Sequence, residues 1–228
     1  MTAEHTGTLR GVIFDMDGTL ADTPGAIVSI TLKVLAELGR EADEDAVRAT
    51  VGKPLDRNFS QLLGLPADHA EVQNAMVAYR RGFAEHLAEQ RERMLYPGVP
   101  EGLAKLRESG HTLAIATSKT YDAAVNVLRT TGILDDFTVV AGHDSVDRGK
   151  PAPDMALYVA RELGIPAADC VVIGDATGDI EMARAAGMTS IGVSYGVATA
   201  AELLSTGAQS VADSFDDVVN AVIEGRQT

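Results

Sequence analysis

The chain has no tryptophan, one cysteine, and only five tyrosines and five phenylalanines in 228 residues. Its interior must therefore be filled by leucine, valine, isoleucine and alanine. The lone cysteine, Cys170, permits no internal disulfide. Within the apolar run Cys170-Val171-Val172-Ile173 it reads as a buried structural thiol, consistent with a reducing, cytoplasmic setting. Positive charge is scarce: 19 Lys and Arg stand against 33 Asp and Glu, for a net charge of −14. Nucleic acid and anionic membrane surfaces are thereby argued against as main partners, because both need a basic footprint. A small anionic substrate stays open, since a local cluster of cations and a bound metal can override the overall field. No apolar run reaches the ~18 residues that span a bilayer. Residues 1–8 lack an apolar signal core and read as a loose tail. Internal repeats and low-complexity segments are absent.

What is present fits an ordinary globular protein, with 46% apolar and 23% charged residues. The length allows one large domain or two smaller ones. Between residues 22 and 94 only helical patterns occur. Asp22-Thr23-Pro24 reads as a helix start, with apolar positions from Ile27 to Leu38 and a stop at Gly39. Short segments near 46–51 and from Pro54 past Leu63 follow. A longer helix carries Val72, Met76, Tyr79, Phe83 and Leu87 on one face. This block is a candidate second domain. Beyond Tyr96 the pattern changes to strands at 111–117, 137–141, 170–175, 188–193 and 210–212. Helices near 121–131, 154–163, 178–186, 200–205 and 215–224 lie between and after them. Strands apolar throughout, alternating with helices, predict a parallel sheet covered on both faces. Ligands of such sheets sit beyond the carboxyl ends of the strands.

Four features fall at those ends. The run Val12-Ile13-Phe14-Asp15-Met16-Asp17-Gly18-Thr19 carries two carboxylates spaced by two, so both can project the same way where the strand ends. Like charges that close need a cation or a shared proton. The plain alternative is a strand entering an Asp-Gly turn. Thr117-Ser118-Lys119 closes a second strand, with helix capping as its plain reading. Gly149-Lys150-Pro151-Ala152-Pro153-Asp154 is a loop stiffened by two prolines, and Lys150 on its own reads as solvated. In Gly174-Asp175-Ala176-Thr177-Gly178-Asp179 one carboxylate ends a strand and another lies in the next helix's first turn, where capping again explains it. Together they form carboxylates from two strands, a hydroxyl and a lysine on one rim. Mg²⁺ and Lys150 would balance that charge, and the set suits phosphoryl transfer.

These residues, in this order, resemble the four motifs of the haloacid dehalogenase superfamily over roughly residues 10–195. Gly149–Asp154 and Val172–Asp175 are most similar to phosphoglycolate phosphatase-like members. The resemblance implies an α/β fold, a Rossmann-like parallel-sheet core formed by residues 1–20 and 96–228, with an all-helical cap inserted at 21–95. It implies Asp15 as nucleophile, Asp17 as acid and then base, Thr117 on a phosphoryl oxygen and Lys150 offsetting charge. Mg²⁺ would be held by the Asp15 carboxylate, the Asp17 backbone carbonyl and Asp175, with Asp179 helping. Backbone amides after Asp15, at Gly18 and Thr19, together with Ser118, would cradle the phosphate. Lys53 and Arg57 are expected to reach a substrate carboxylate from a cap loop, against a plain reading as a solvated helix end. Arg80 and Arg81 read as surface, and His69, His86, His111 and His143 as structural or exposed.

The implied substrate is a small phosphorylated metabolite, phosphoglycolate among them, handled by a monomer or homodimer. A sugar phosphomutase and an inorganic pyrophosphatase of the same superfamily share the core. Thr19, often valine-like in the mutases, leans towards hydrolysis. A dehalogenase or phosphonatase lacks the acid at Asp17. From another class, a catalytically silent binding module would keep the fold, against the intact motif residues.

Overall fold

A computed structural model describes residues 10–225, so the tail expected at 1–8 lies outside the described residues. Six parallel strands form one sheet: β1 (Gly11–Phe14), β2 (Thr112–Ala116), β3 (Val139–Ala141), β4 (Cys170–Gly174), β5 (Thr189–Val193) and β6 (Ser210–Ala212). Their order is β3-β2-β1-β4-β5-β6. Beside β1 the order reverses, and this is where open α/β sheets leave a crevice for ligands. β1 lies between β2 and β4, with Phe14 level with Ile115 and Ile173.

Strand alternation divides the core in two. Val12, Phe14, Leu113, Ile115, Val171 and Ile173 enter one apolar cluster, while Ile13, Ala114, Ala116, Cys170 and Val172 enter the other. The first face is covered by α5 (Val99–Glu108), α6 (Tyr121–Thr131) and α10 (Phe215–Glu224). The second is covered by α7 (Asp154–Leu163) and α8 (Thr177–Ala185). α9 (Ala200–Thr206) packs beside β5 and β6. On the first face the Phe14 ring lies 5.9 Å from that of Phe215 and 6.3 Å from that of Phe137. α5 and α10 meet closely at Gly102, where a Cβ would stand 2.5 Å from the Phe215 ring. Cys170 is buried as expected, and burial pushes its thiol up to about 11.

Between β1 and β2 lies a helical insertion: α1 (Pro24–Glu37), α2 (Glu44–Arg48), α3 (Leu55–Leu63) and α4 (Ala70–Gln90). Among the described residues it contains no strand. Its entry and exit are held side by side: Asp22 N–H donates to the Met94 carbonyl (2.8 Å) and Tyr96 N–H to the Leu20 carbonyl (3.0 Å). Phe59, Tyr79 and Phe83 form its aromatic interior, with Tyr79 and Phe83 stacked at 5.9 Å. Two local expectations change. Thr23 precedes α1 but caps nothing with its side chain, which turns to Asp17 instead. The strand expected from Phe137 begins only at Val139, because residues 134–136 wind into a 3₁₀ turn that delivers Phe137 to the core.

Candidate active site

Asp15 follows the last residue of β1 and Asp175 the last residue of β4, so adjacent strands bring the two carboxylates to one rim. Asp179 joins them from the first turn of α8. One oxygen from each of Asp15, Asp175 and Asp179 lies within 4.8 Å of the others, and all three residues are buried. The backbone makes room for this. A Cβ on Gly18 would stand 2.1 Å from Asp175 Oδ2, and φ there is +81°. A Cβ on Gly196 would stand 2.3 Å from Asp175 Cβ, and one on Gly174 2.3 Å from Asp179 Cγ. Only glycine admits so close an approach.

Lys150 stands among these carboxylates. Its Nζ is 2.6 Å from Asp15 Oδ1 and 2.5 Å from Asp179 Oδ1, and its side chain is 8% exposed. Burial works against the ammonium, but Asp15 and Asp179 outweigh it and hold its pKa above the ordinary value. Asp15 is nevertheless pushed up to about 7, first by burial, then by Asp179 and Asp17, with Lys150 opposing. Asp175 is raised well above the ordinary carboxylate range by burial and by Asp15 and Asp179, although Val197 N–H (2.9 Å) and the Thr19 hydroxyl (3.0 Å) donate to it. One lysine does not balance three buried carboxylates. The all-oxygen donor set fits a hard divalent cation, whose charge would reverse the sign of these shifts.

The Asp17 side chain is not part of the triad. Its Oδ1 accepts from the Thr23 hydroxyl at 2.5 Å, and its Oδ2 lies 3.1 Å from Lys119 Nζ. The same Nζ sits 4.2 Å above the Phe83 ring of α4. Lys119 thus links the carboxylate after β1 to the insertion. Sequence reasoning passed it over, since its partners come from residues 17 and 83 and no local pattern announces them. Thr117 is buried, and its hydroxyl accepts from Lys119 N–H at 3.3 Å. Capping of α6, the plain alternative for Thr117 and Ser118, falls instead to Thr120, which accepts from Ala123 N–H.

Gly18 and Thr19, expected to offer backbone amides to the phosphate, lie in the turn beside the triad. Gly18 N–H donates to the Ala21 carbonyl (2.8 Å), and the buried Thr19 hydroxyl is spent on Asp175. Tyr195 secures the same turn by donating to the Thr19 carbonyl at 3.0 Å.

A cavity of about 720 Å³ opens beside Asp17, between the insertion and the loop after β2. Lys53 and Ser118 line it, though Lys53 Nζ donates to Gln61 at 2.9 Å. The loop bearing Lys53 approaches the site closely, since a Cβ on Gly52 would stand 3.8 Å from Ala176. Arg57 is exposed and does not line the cavity; its backbone N–H donates to Asp56. Arg80, read as surface, is exposed but borders the cavity, and His143 borders it as well. Asn58, unmarked by the sequence, lines it while almost fully buried. A second hollow of about 250 Å³ between α1 and α4 holds none of these groups.

Residues 12–193 match the haloacid dehalogenase-like hydrolase family. The chain belongs to that family. It is 42% identical over 211 residues to the "Probable phosphatase IndB" of Dickeya dadantii, with 92% of each protein covered. It is 32% identical over 193 residues to the phosphoglycolate phosphatase of Neisseria meningitidis, covering 82% of this chain and 81% of that one. The crystal structure of a predicted phosphatase from Clostridium acetobutylicum superposes with a TM-score of 0.82 at 26% identity, covering 96% and 100% of the two chains. The family and the helical insertion between β1 and β2 are those that the motif residues imply. Among the described residues, no helix is long and apolar enough to cross a membrane.

Proposed function

We propose that this haloacid dehalogenase-like hydrolase is a Mg²⁺-dependent phosphomonoester hydrolase working through a phosphorylated Asp15. The observation that carries the reading is the buried Asp15–Asp175–Asp179 cluster with Lys150 set against two of its members. The phosphatase names of the relatives from Dickeya dadantii and Neisseria meningitidis support the same class.

Mg²⁺ would be held by the Asp15 and Asp175 carboxylates, the Asp17 carbonyl and Asp179, and would offset charge on the phosphoryl oxygens. The chain's own residues do the rest. The Asp15 carboxylate attacks phosphorus and the bond to the ester oxygen breaks. Asp17 gives the departing alkoxide a proton. Asp17 then takes a proton from water, whose oxygen attacks phosphorus and restores the Asp15 carboxylate. Lys150 holds Asp15 in place and offsets negative charge, while Thr117 donates to a phosphoryl oxygen. Residues 21–95 act as a cap over the core formed by 1–20 and 96–228, excluding bulk water during the reaction.

The test is phosphate release from phosphoglycolate, p-nitrophenyl phosphate, pyrophosphate and glucose 1-phosphate, with Mg²⁺ and with chelator, for the native chain and Asp15→Asn. Release that needs Mg²⁺ and disappears in a folded Asp15→Asn variant is expected. Release that survives Asp15→Asn would overturn the nucleophile assignment. No release from any compound would move the reading to a mutase or a silent binding module, and added sugar bisphosphate separates these.

A further inference from the structure

Asp175 is gripped at both carboxylate oxygens. The Thr19 hydroxyl donates to Oδ1 at 3.0 Å, and Val197 N–H donates to Oδ2 at 2.9 Å. Ala198 N–H fixes the backbone of the same residue by donating to the Asp175 carbonyl at 3.0 Å. Each carboxylate oxygen thus has one donor and keeps lone-pair capacity for a cation. The two donors belong to turns far apart in sequence, one after β1 and the other after β5.

One side chain ties those turns together. Tyr195 lies two residues before Val197, and its hydroxyl donates to the Thr19 carbonyl at 3.0 Å. Thr19 is fully buried, and no other donor reaches that carbonyl among the described residues. Tyr195, Thr19, Asp175 and Val197 therefore close a ring of contacts around the carboxylate. The Tyr195 ring is itself held. The Tyr96 ring stands 4.6 Å from it, and the Tyr96 hydroxyl donates to the Tyr195 carbonyl at 3.4 Å. Both tyrosines pack against the larger apolar cluster.

Such a frame matters more to one cation than to another. Mg²⁺ demands near-ideal octahedral geometry with oxygens at about 2.0–2.1 Å, whereas Ca²⁺ accepts about six to eight oxygens in flexible arrangements. A carboxylate freed to tilt therefore costs Mg²⁺ more than Ca²⁺.

We propose that Tyr195 is a positioning residue: by holding the Thr19 turn against the turn of residues 195–198 it fixes the Asp175 carboxylate, and so sets the preference of the site for Mg²⁺ over Ca²⁺. The inference rests on the metal site of the phosphatase reading and goes beyond it, to what tunes that site.

The test is calorimetric titration of the full chain with Mg²⁺ and with Ca²⁺, without substrate. Native chain, Tyr195→Phe, Thr19→Val, the double variant and Gly102→Ala are compared. Phenylalanine keeps the ring beside Tyr96 and removes only the donor. Tyr195→Phe should weaken Mg²⁺ about 3- to 10-fold, the worth of one hydrogen bond to a buried group. Ca²⁺ should weaken by less than about twofold, so the ratio of the two affinities falls. In Thr19→Val the hydroxyl that passes the constraint to Asp175 is already gone, so adding Tyr195→Phe should lower the ratio by less than about twofold more. Gly102→Ala strains α5 against α10 and leaves the rim alone, and it should move neither affinity.

Unchanged Mg²⁺ affinity in Tyr195→Phe, equal weakening of both cations, or the full effect persisting on top of Thr19→Val would each overturn the inference and leave the phosphatase reading standing. So would a ratio that falls as far in Gly102→Ala, which would trace the effect to lost stability. The expected titrations in a native chain that releases no phosphate would sink the phosphatase reading alone. A folded native chain that binds no Mg²⁺ would sink the metal site, and the inference with it.

Discussion

Replacing Lys119 with methionine keeps most of the side chain's bulk and removes its charge. The consequence depends on how little water reaches the pair. Lys119 Nζ lies 3.1 Å from Asp17 Oδ2, with side-chain exposures of 13% and 11%. At an effective dielectric constant of about 20 that separation gives a gross attraction of about 5 kcal/mol. Desolvation returns part of it when both charges are present, but the variant leaves the half-buried Asp17 without its cationic partner. The ammonium over Phe83 adds about 1 kcal/mol. Together the loss is about 2–4 kcal/mol, or about 4–16 °C in Tm for a chain of this length. Thermal melts at neutral pH read it directly. The control is Arg148→Met. Its ion pair with Asp154 is no longer, at 2.9 Å, but the Arg148 side chain is 70% exposed, so solvent screens it and Tm should stay unchanged. In an Asp17→Asn background the same Lys119 substitution should cost much less, since the charge it answers is gone. Equal losses in both backgrounds, or a loss no greater than that of Arg148→Met, would refute the reasoning.

Two further perturbations test the framework around the site. Thr19→Val keeps the shape and removes the donor to Asp175, so the Mg²⁺ concentration for half-maximal activity should rise about 10- to 100-fold. An unchanged midpoint would mean that Val197 N–H alone orients Asp175. Gly102→Ala places a methyl group 2.5 Å from the Phe215 ring and should cost about 1–3 kcal/mol in urea unfolding. No change in the midpoint would show that α10 yields at no cost.

The sheet and its rim were readable because each signal is local. Strands apolar on both faces announce a covered parallel sheet, and Gly132, Gly164 and Gly207 end helices in left-handed conformations where a stop was expected or close to it. Asp15, Asp175 and Asp179 were legible for the same reason, as carboxylates at or just past strand ends. Thr19 is expected at the phosphate through its backbone amide, which leaves its side chain unaccounted for. Its hydroxyl goes to Asp175, 156 residues away, and no spacing rule encodes that. Lys119 and Asn58 are harder still. One meets a ring on α4 and the other lines a cavity that exists only when insertion and core are packed together. Arg57, chosen for its charge near a promising loop, lies exposed on α3 while its neighbour Asn58 is buried.

The position of β1 has a consequence for how the chain is made. Phe14 pairs with Ile115 on one side and Ile173 on the other, so neither neighbour exists when Val12, Ile13 and Phe14 leave the ribosome. At about 5–20 residues per second the first partner arrives roughly 5–20 s later. During that interval α1 to α4 can form on their own short-range contacts, the faster kind to make. The central strand is therefore the first one synthesised, yet it has no neighbour until β2 is made. Its three large apolar side chains wait uncovered while the insertion that interrupts them folds, which is a period for a chaperone to guard.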